Sequence, residues 1–387
     1  MMYFAVGVFV LIAGGGLFWL LKRPGKTRVS CGDTSAPGES LNPGQASPLL
    51  PLPPTSDGVQ TMPVARRAWR PTPVALKEFR FVRKAELEAA KLRELTARLR
   101  ALPRPPTALH KLVSADFLTH ATSAELGEIV LGEPEVAAKV LAIANSPLYG
   151  LQQLVGNIDQ AVKFLGMSTV RSICLQYILS ESIQTSSPAL KMVYERLWNE
   201  SALACELCVR LAQRLKLDEP GTFVTQIVLA SLGRQATYSL MAVEDALAVA
   251  SKGLLERSRQ EQQQLGLASS EIGALLMEDW ALPPNIIHIV KEIDATLVAP
   301  ISETSTSRRT RNALCYLCCR IAEELLGGDL DNLETVDILQ WEAVEYFHLQ
   351  SYLELPALAQ TADFIRAPDV ALPVQRMVDA MRVAQRT

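Results

Sequence analysis

Between residues 120 and 217 the apolar positions recur every three or four residues, which is the spacing of one face of a helix. Two sets show this most plainly: Ile158, Ala161, Val162 and Leu165, and Leu203, Leu207, Leu211 and Leu215. Residues that commonly cap helix N-termini stand before such runs, including Thr122 with Glu125 three residues later, and Asn157. We find no convincing run that alternates between apolar and polar positions as a β-strand would. The pattern predicts an all-α protein.

The start of the chain has a different pattern, because Met1 to Leu21 is almost wholly apolar and carries no charged residue. A helix of this length spans about 30 Å, the thickness of the hydrocarbon core of a bilayer. Positive charge follows the run, at Lys22, Arg23 and Lys26, whereas a signal peptide would carry it before the run. We therefore predict a transmembrane anchor over residues 1–22. It would cross the inner (cytoplasmic) membrane once and leave the rest of the chain in the cytoplasm.

After the apolar segment the composition changes again. Ten of the chain's 23 prolines lie between residues 23 and 75, together with many Ser and Gly residues. Such a segment buries too little apolar surface to offset the entropy lost on ordering, which predicts a disordered linker over residues 23–77. Residues 78–101 then form a predicted charged lead-in helix, with Glu94 and Arg98 one turn apart. This helix is either solvated or part of a short coiled segment.

The rest of the chain is predicted to form two helical regions. The first is a helical domain over residues 102–330. The second is a C-terminal helical extension over residues 331–387, whose apolar residues, such as Val336 and Trp341, are sufficient to pack on that domain. The extension either completes the core or covers a surface for a partner.

The formal net charge of −3 conceals two regions of opposite sign. Residues 1–100 carry 15 basic and 7 acidic residues, a balance of +8. Residues 101–387 carry 23 basic and 34 acidic residues, a balance of −11. An acidic helical region gives no support to binding of nucleic acid through a basic surface, so we expect no nucleic-acid partner.

The segment Asn145-Ser146-Pro147-Leu148-Tyr149-Gly150 interrupts the helical pattern. Asn145 stands where a helix should end, and Asn tolerates the left-handed conformation of a helix C-cap. Ser146 precedes a proline, which favours extended backbone, and Gly150 permits a positive φ. The segment is either a structured turn with Tyr149 packed on the core, or a recognition surface for a ligand or partner made by Asn145, Ser146, Tyr149 and Gly150.

This segment and several blocks after it resemble the HDOD domain family. The blocks stand in the order of that family and cover roughly residues 103–330: Ile143–Gly150, Ile158–Gly166, Leu265–Leu267, Glu271–Leu276 and Trp280–Pro283. The resemblance implies an all-α, multi-helix domain that is a non-catalytic relative of the HD phosphohydrolases. It also implies a regulatory role in bacterial signal transduction.

The HD phosphohydrolases use His and Asp side chains to hold the divalent metals that activate water. In the resemblance, the His-Asp pair falls in an apolar helix that ends in glycine, and the matching stretch Ile227–Gly233 has Ala230 and Ser231 at those positions. The first metal histidine falls near Glu200. No histidine lies between His120 and His288. We therefore expect no catalytic residue, no metal ligand and no cofactor, and a vestigial pocket near Glu200, Ser231 and His288.

Two groups of cysteines have a spacing that also occurs in zinc and redox sites: Cys205 with Cys208, and Cys315 with Cys318 and Cys319. Both groups lie in helical patterns, and Cys318 shares an apolar face with its neighbours. Free cysteine commonly packs as a small apolar residue, and a cytoplasmic location disfavours structural disulfides. A packing role and a metal or redox role both remain open at this point.

Taken together, these features favour a membrane-tethered, non-enzymatic signal-transduction or scaffold protein. It would act through contacts between its helical domain and an unknown protein partner. The alternative is a sensor that binds a small ligand, such as a nucleotide second messenger, in the pocket of the lost metal site.

Overall fold

The computed structural model describes residues 71–146 and 154–384, and within these ranges the chain forms eighteen α-helices and no β-strand. The predicted all-α class is confirmed. The predicted transmembrane anchor and nearly all of the predicted linker lie in residues 1–70, outside the described residues. None of the described helices combines the length and the apolar character needed to cross a membrane.

The helices before residue 240 are α1 (Val74–Lys77), α2 (Ala89–Arg100), α3 (Ala108–Leu112), α4 (Ala115–His120), α5 (Ser123–Leu131), α6 (Pro134–Ala144), α7 (Ile158–Leu165), α8 (Met167–Ser182), α9 (Pro188–Arg214) and α10 (Pro220–Ser239). The later helices are α11 (Val243–Ala250), α12 (Leu254–Leu265), α13 (Ser269–Asp279), α14 (Pro284–Ala295), α15 (Thr306–Gly327), α16 (Leu349–Leu353), α17 (Thr361–Arg366) and α18 (Pro368–Ala384). Four short 3₁₀ turns lie at Lys84–Glu86, Ile301–Glu303, Ile338–Gln340 and Val344–Tyr346.

The segment before the helical domain is more ordered than its composition predicts. The last residues of the predicted linker form α1, where Leu76 is buried. The predicted lead-in helix over 78–101 is shorter in the structure, because it is preceded by a 3₁₀ turn and starts only at Ala89. Leu95 and Leu99 of α2 are buried and α2 packs on α13, so one face of this helix belongs to the core, while its opposite face is exposed to solvent.

Two helices begin with the side-chain capping contacts that the sequence predicts. The Thr122 hydroxyl accepts a hydrogen bond from the Glu125 amide, while the Glu125 carboxylate accepts one from the Thr122 amide, which completes a capping box at the start of α5. The Asn157 side chain accepts from the Gln160 amide at 2.9 Å and caps α7. These contacts satisfy backbone donors that a helix start leaves unpaired.

The centre of the fold is formed by α9, α10, α13 and α15, which pack on one another in the pairs α9–α10, α10–α13 and α9–α15. In α10 the expectation that Gly233 ends a helix is wrong, because α10 continues to Ser239. Gly233 instead lies against Gly273 of α13. A Cβ at position 233 would lie 2.7 Å from the backbone oxygen of Ser269, so the two helices approach too closely for a side chain there.

A single cluster of buried apolar side chains extends from Leu76 to Met381. The lead-in segment and the C-terminal segment therefore share one core with the residues between them. The last helix, α18, packs on α9 and α15. The structure thus brings residues from the end of the chain against the same helix, α9, that carries Glu200.

Candidate functional site

Glu200 is buried on α9, with 6% of its side chain exposed, and its carboxylate is held by two guanidinium groups. Arg196, one helical turn earlier, donates from Nε to Glu200 Oε1 at 2.9 Å. Arg234 of α10 donates from Nη1 to Glu200 Oε2 at 2.9 Å. Both carboxylate oxygens at the position that resembles the first metal ligand are therefore engaged by cations.

A second carboxylate, Glu323 of α15, accepts hydrogen bonds from three arginines. Arg234 and Arg320 each approach it at 2.7 Å, and Arg257 of α12 approaches it at 3.1 Å. Burial acts to raise the pKa of Glu323, but the positive charges of the three arginines outweigh it and lower the pKa to about 2. The carboxylate is thus ionised at neutral pH and compensates several buried cations.

These contacts join four helices, α9, α10, α12 and α15, through one set of buried charges. Arg257 and Arg320 have 3% and 6% of their side chains exposed, so their charges depend on Glu323 more than on water. Below, the arginine–glutamate cluster means Glu200, Arg234, Arg257, Arg320 and Glu323. It borders a polar cavity of about 200 Å³.

The structure does not bring the three residues of the predicted vestigial pocket together. Of the three, only Glu200 lines the polar cavity. Ser231 is buried, and its hydroxyl donates to the backbone oxygen of Ile227 at 3.1 Å. The ring of His288 is 59% exposed on α14, where it pairs with Glu292 and Arg308.

The arginine–glutamate cluster does not suit a divalent metal. A guanidinium has no lone pair to donate and keeps its positive charge, so it repels a metal ion instead of binding it. The carboxylates that could serve as ligands, Glu200 and Glu323, already have arginine partners. Across residues 71–146 and 154–384, no group of three or more His, Cys, Asp or Glu residues is arranged to hold a metal ion.

The predicted recognition surface lies only partly within the structure, since Tyr149 and Gly150 are outside the described residues. Asn145 ends α6, but its φ of −86° is not the left-handed conformation that we expected. Its amide nitrogen donates to the backbone oxygens of Leu141 and Val155, and its Oδ1 accepts from the Val155 amide at 2.7 Å. Asn145 therefore joins the end of α6 to the chain that enters α7.

Ser146 lines a second and larger cavity of about 430 Å³, which we call the apolar cavity. Its walls come from α6, α8, α9, α10 and α18 and are mostly apolar. Residues of these walls include Ile143, Tyr177, Trp198, Ala202 and Met381. The sequence gives no direct signal for this cavity, because α6 and α18 are separated by more than 200 residues along the chain.

The paired cysteines lie in the interface between α9 and α15. Cys205, Cys208, Cys315 and Cys318 are buried free thiols, and Cys208 interacts with the thiols of Cys315 and Cys318. Burial raises the pKa of Cys205 to about 12 and raises the pKa values of Cys208 and Cys315 well above their ordinary range. The structure thus favours a packing role in the core for these four thiols.

We expect these four thiols to be unreactive in the folded protein, because a thiol attacks as its thiolate and burial disfavours that form. N-ethylmaleimide should leave Cys205, Cys208, Cys315 and Cys318 unmodified under native conditions and modify all four in concentrated urea, as measured by peptide mass spectrometry. Rapid native modification, or stoichiometric zinc in chelator-washed protein, would contradict a packing role.

The residues that sequence reasoning missed are Arg234, Arg257, Arg320 and Glu323. Arg234, Arg320 and Glu323 are charged residues within largely apolar helical stretches, and that contrast is the available signal, whereas Arg257 lies in the polar stretch Glu256–Gln264 and has no such signal. What the sequence does not contain is their mutual contact, since Arg234 and Glu323 lie 89 positions apart.

Comparison with known proteins places the chain in a family. A family model for the HDOD domain matches residues 102–296, which is half of the chain. A search of curated proteins finds no match.

One solved structure shares the fold, and two others are similar to a smaller extent. An HDOD domain protein with unknown function from Geobacter sulfurreducens is 16% identical, covers 75% of this chain and 99% of its own, and has a TM-score of 0.51. A candidate phosphohydrolase from Shewanella amazonensis SB2B is 22% identical, with coverages of 74% and 97% and a TM-score of 0.49. A candidate signal transduction protein from Marinobacter aquaeolei VT8 is 16% identical, with coverages of 78% and 69% and a TM-score of 0.48.

Proposed function

Because this chain belongs to the HDOD domain family, we propose that it is a signal-transduction or scaffold protein that has no enzymatic activity and acts through protein contacts. The observation that carries the proposal is the arginine–glutamate cluster. It places guanidinium groups around Glu200, where the resemblance assigns the first metal ligand. In the HD phosphohydrolases this position belongs to the metal site that activates water. An ion-pair network here supports a structural role for the corresponding residues of this chain.

The absence of phosphohydrolase activity is directly testable. Purified full-length protein, supplied with Mn²⁺ or Mg²⁺, should hydrolyse bis-p-nitrophenyl phosphate no faster than a variant with Glu200→Gln. The physical reason is that no metal-bound hydroxide would form without metal ligands. Hydrolysis that depends on added metal and is abolished by a chelator would contradict the proposal.

Exposed apolar side chains offer a place for protein contacts. Leu131 at the end of α5 and Phe164 near the end of α7 are 65% and 60% exposed, on two helices that pack against each other. Contiguous patches of exposed apolar side chains are typical of interaction surfaces, and we propose that these two residues belong to such a patch.

A photoreactive phenylalanine analogue at position 164 should therefore crosslink a specific protein in intact cells, while the same analogue at Leu372 of α18, which is 50% exposed, should not. Equal crosslinking from both positions would argue against a specific surface.

We also propose that residues 1–22 anchor the protein in the inner membrane, with the helical domain in the cytoplasm. The apolar run and the basic residues that follow it support this placement. The full chain should remain in the membrane fraction after extraction at high pH, and a variant that lacks residues 1–22 should be released. Release of both forms would contradict an anchor.

The polar cavity favours one alternative function, binding of a nucleotide second messenger. Arg196, Arg234, Lys252, Arg257 and Arg320 line this cavity together with five acidic side chains, and arginine is well suited to bidentate contacts with phosphate. Selective binding would raise the melting temperature of the full chain in a thermal-shift screen with nucleotides. Binding that is lost in Arg196→Met would favour the alternative over a purely structural cluster.

A further inference from the structure

The segment that precedes α2 lies against α12 and α13. Below, the strap means residues 74–86, and the α12–α13 surface means Arg259, Gln262, Glu271 and Glu278. The family match covers residues 102–296, so it includes this surface and leaves out the strap. The surface is therefore part of the HDOD domain, and the strap is a flanking segment that occupies it.

Gln262 of α12 binds the main chain of the strap. Its Oε1 accepts a hydrogen bond from the Val82 amide at 2.7 Å, and its Nε2 donates to the Arg80 backbone oxygen at 3.1 Å. This part of the strap forms no helix, so its main-chain groups pair with another element. In one common mode of peptide recognition, such main-chain hydrogen bonds supply affinity and side-chain contacts supply specificity.

An aromatic side chain anchors the strap on this surface. Phe79 is 8% exposed and packs edge-to-face on Phe81, with 5.1 Å between the ring centroids. Arg259 of α12 places its guanidinium group 5.9 Å from the centroid of the Phe79 ring, within the range of a cation–π contact. The same guanidinium group donates to the Ala75 backbone oxygen at 2.7 Å. The surface thus suits an aromatic residue at this position.

Two basic side chains of the strap meet carboxylates of α13. Arg83 Nη1 donates to Glu271 Oε1 at 3.2 Å, and Lys84 Nζ donates to Glu278 Oε1 at 2.5 Å. These basic residues lie four and five positions after Phe79. The contacts together describe a ligand in which an aromatic residue is followed, at the fourth and fifth positions, by basic residues.

The α12–α13 surface keeps its buried carboxylate paired when the strap is absent. Glu271 has 1% of its side chain exposed, and a buried charge without a partner is strongly destabilising. Lys291 of α14 binds the same carboxylate at 2.7 Å, independently of Arg83. Departure of the strap therefore leaves no uncompensated charge at Glu271.

Few buried contacts hold the strap in place. Among its side chains only Leu76 and Phe79 are buried. Arg83 and Lys84 have 56% and 40% of their side chains exposed, and ion pairs of exposed side chains contribute little to stability. A segment of this kind opens at a lower free energy than the core of a domain.

We propose that the α12–α13 surface is a binding site for a peptide segment of a partner protein, in which an aromatic residue is followed four and five positions later by basic residues. The strap occupies the site in the free protein, and the partner's segment replaces it. This inference rests on the proposed function, which is action through protein contacts, and it names the chemistry of a partner. It concerns a surface other than the one around Phe164.

The probe is a fluorescein-labelled peptide with the sequence of residues 74–88, and the receptor is the full chain in phosphatidylcholine nanodiscs. In the wild-type chain the strap competes with the peptide at the high effective concentration of a tethered segment. Phe79→Ala combined with Arg83→Glu weakens the strap. This strap-released variant should bind the peptide at least tenfold more tightly than wild type in fluorescence anisotropy. A peptide that carries the same two substitutions should bind it at least tenfold more weakly than the unaltered peptide.

A substitution on the surface, with a matched control, identifies the site. Gln262→Ala, introduced into the strap-released variant, removes both main-chain hydrogen bonds and should weaken binding of the peptide about tenfold. Gln263→Ala changes the next residue of the same helix, which is exposed, and should leave binding unchanged.

Hydrogen exchange checks that the strap is released while the domain stays folded. Amides of residues 74–86 should exchange faster in the strap-released variant than in wild type, and those of α13 should keep their protection. Arg83→Glu with Lys84→Glu alters two partly exposed side chains and keeps the test valid if the first variant does not fold.

Loss of protection in α13 in both strap variants, peptide binding no tighter than to wild type, or binding that Gln262→Ala does not weaken would overturn the proposal. Self-association of the strap-released variant through this surface, without binding of the peptide, would overturn it as well. The phosphohydrolase assay tests the proposed function without any peptide, so its failure and the failure of this inference are distinguishable.

Discussion

Replacing Glu323 with glutamine should destabilise the folded protein by about 3–5 kcal/mol, because removal of one partner from a buried ion pair leaves its charges uncompensated. Glu323 accepts from Arg234, Arg257 and Arg320, and no more than 15% of any of these arginine side chains is exposed. Glutamine keeps the shape of the side chain but removes the negative charge. The loss should appear as a lower midpoint in urea unfolding followed by circular dichroism.

Glu324→Gln is the matched control for Glu323→Gln, since it changes the next residue of the same helix. Burial raises the pKa of Glu324, so its negative charge is poorly compensated, and glutamine can still accept from the Tyr346 hydroxyl. This variant should change stability by less than about 1 kcal/mol. Equal effects of the two substitutions would mean that Glu323 does not hold the three arginines together.

The wild-type protein and the Glu323→Gln variant should also differ in how their stability responds to acid. Because the pKa of Glu323 in the folded protein is about 2, below its ordinary 4.5, its contribution to stability is complete above pH 4.5 and is lost as the pH falls towards 2. The wild-type protein should therefore lose more stability than Glu323→Gln over this interval. Parallel stability curves for the two proteins would contradict the ionised state that the structure assigns.

The second large effect is expected at the crossing of α10 and α13. Gly233→Ala would place a Cβ 2.7 Å from the Ser269 backbone oxygen and 3.3 Å from the Gly273 Cα. Both obstacles are backbone atoms, so the helices themselves must move apart. We expect a loss of about 3 kcal/mol, at the upper end of the usual range for an overpacked core.

Gly127→Ala provides a control of opposite sign. Gly127 lies within α5, and a Cβ there would meet only the Asp159 side chain at an ordinary 3.5 Å. Alanine is better than glycine inside a helix by about 0.5–1 kcal/mol, so this variant should be slightly more stable than wild type. Urea unfolding of both variants tests the pair. A Gly233→Ala protein as stable as wild type would show that the two helices do not approach as closely as described.

The features that the sequence predicts well depend on near neighbours in the chain. The capping box of Thr122 and Glu125 involves residues three positions apart, and the helical periodicity of α7 is contained in eight residues. The expectation for Gly233 failed because a glycine within an apolar run has the same appearance whether it ends a helix or lies at a helix crossing. Only the position of Gly273 on α13 distinguishes the two cases.

The candidate site was predictable to a smaller extent. Glu200 could be singled out because the resemblance assigns a metal ligand to its position, but its partner Arg234 comes from a different helix. The resemblance groups His288 with Glu200, whereas the structure exposes the His288 ring on α14 beside Arg308. Contacts between distant segments depend on how the helices pack, and the sequence contains no local record of that packing.

We propose that salt bridges lie where the resemblance assigns metal ligands in this HDOD protein, and metal content tests this proposal most directly. The full-length protein should be incubated with an excess of Mn²⁺, passed through a desalting column and analysed by inductively coupled plasma mass spectrometry. We predict a metal content indistinguishable from that of Glu200→Gln and well below one ion per chain. One or more Mn²⁺ ions per wild-type chain, lost on Glu200→Gln, would contradict the proposal.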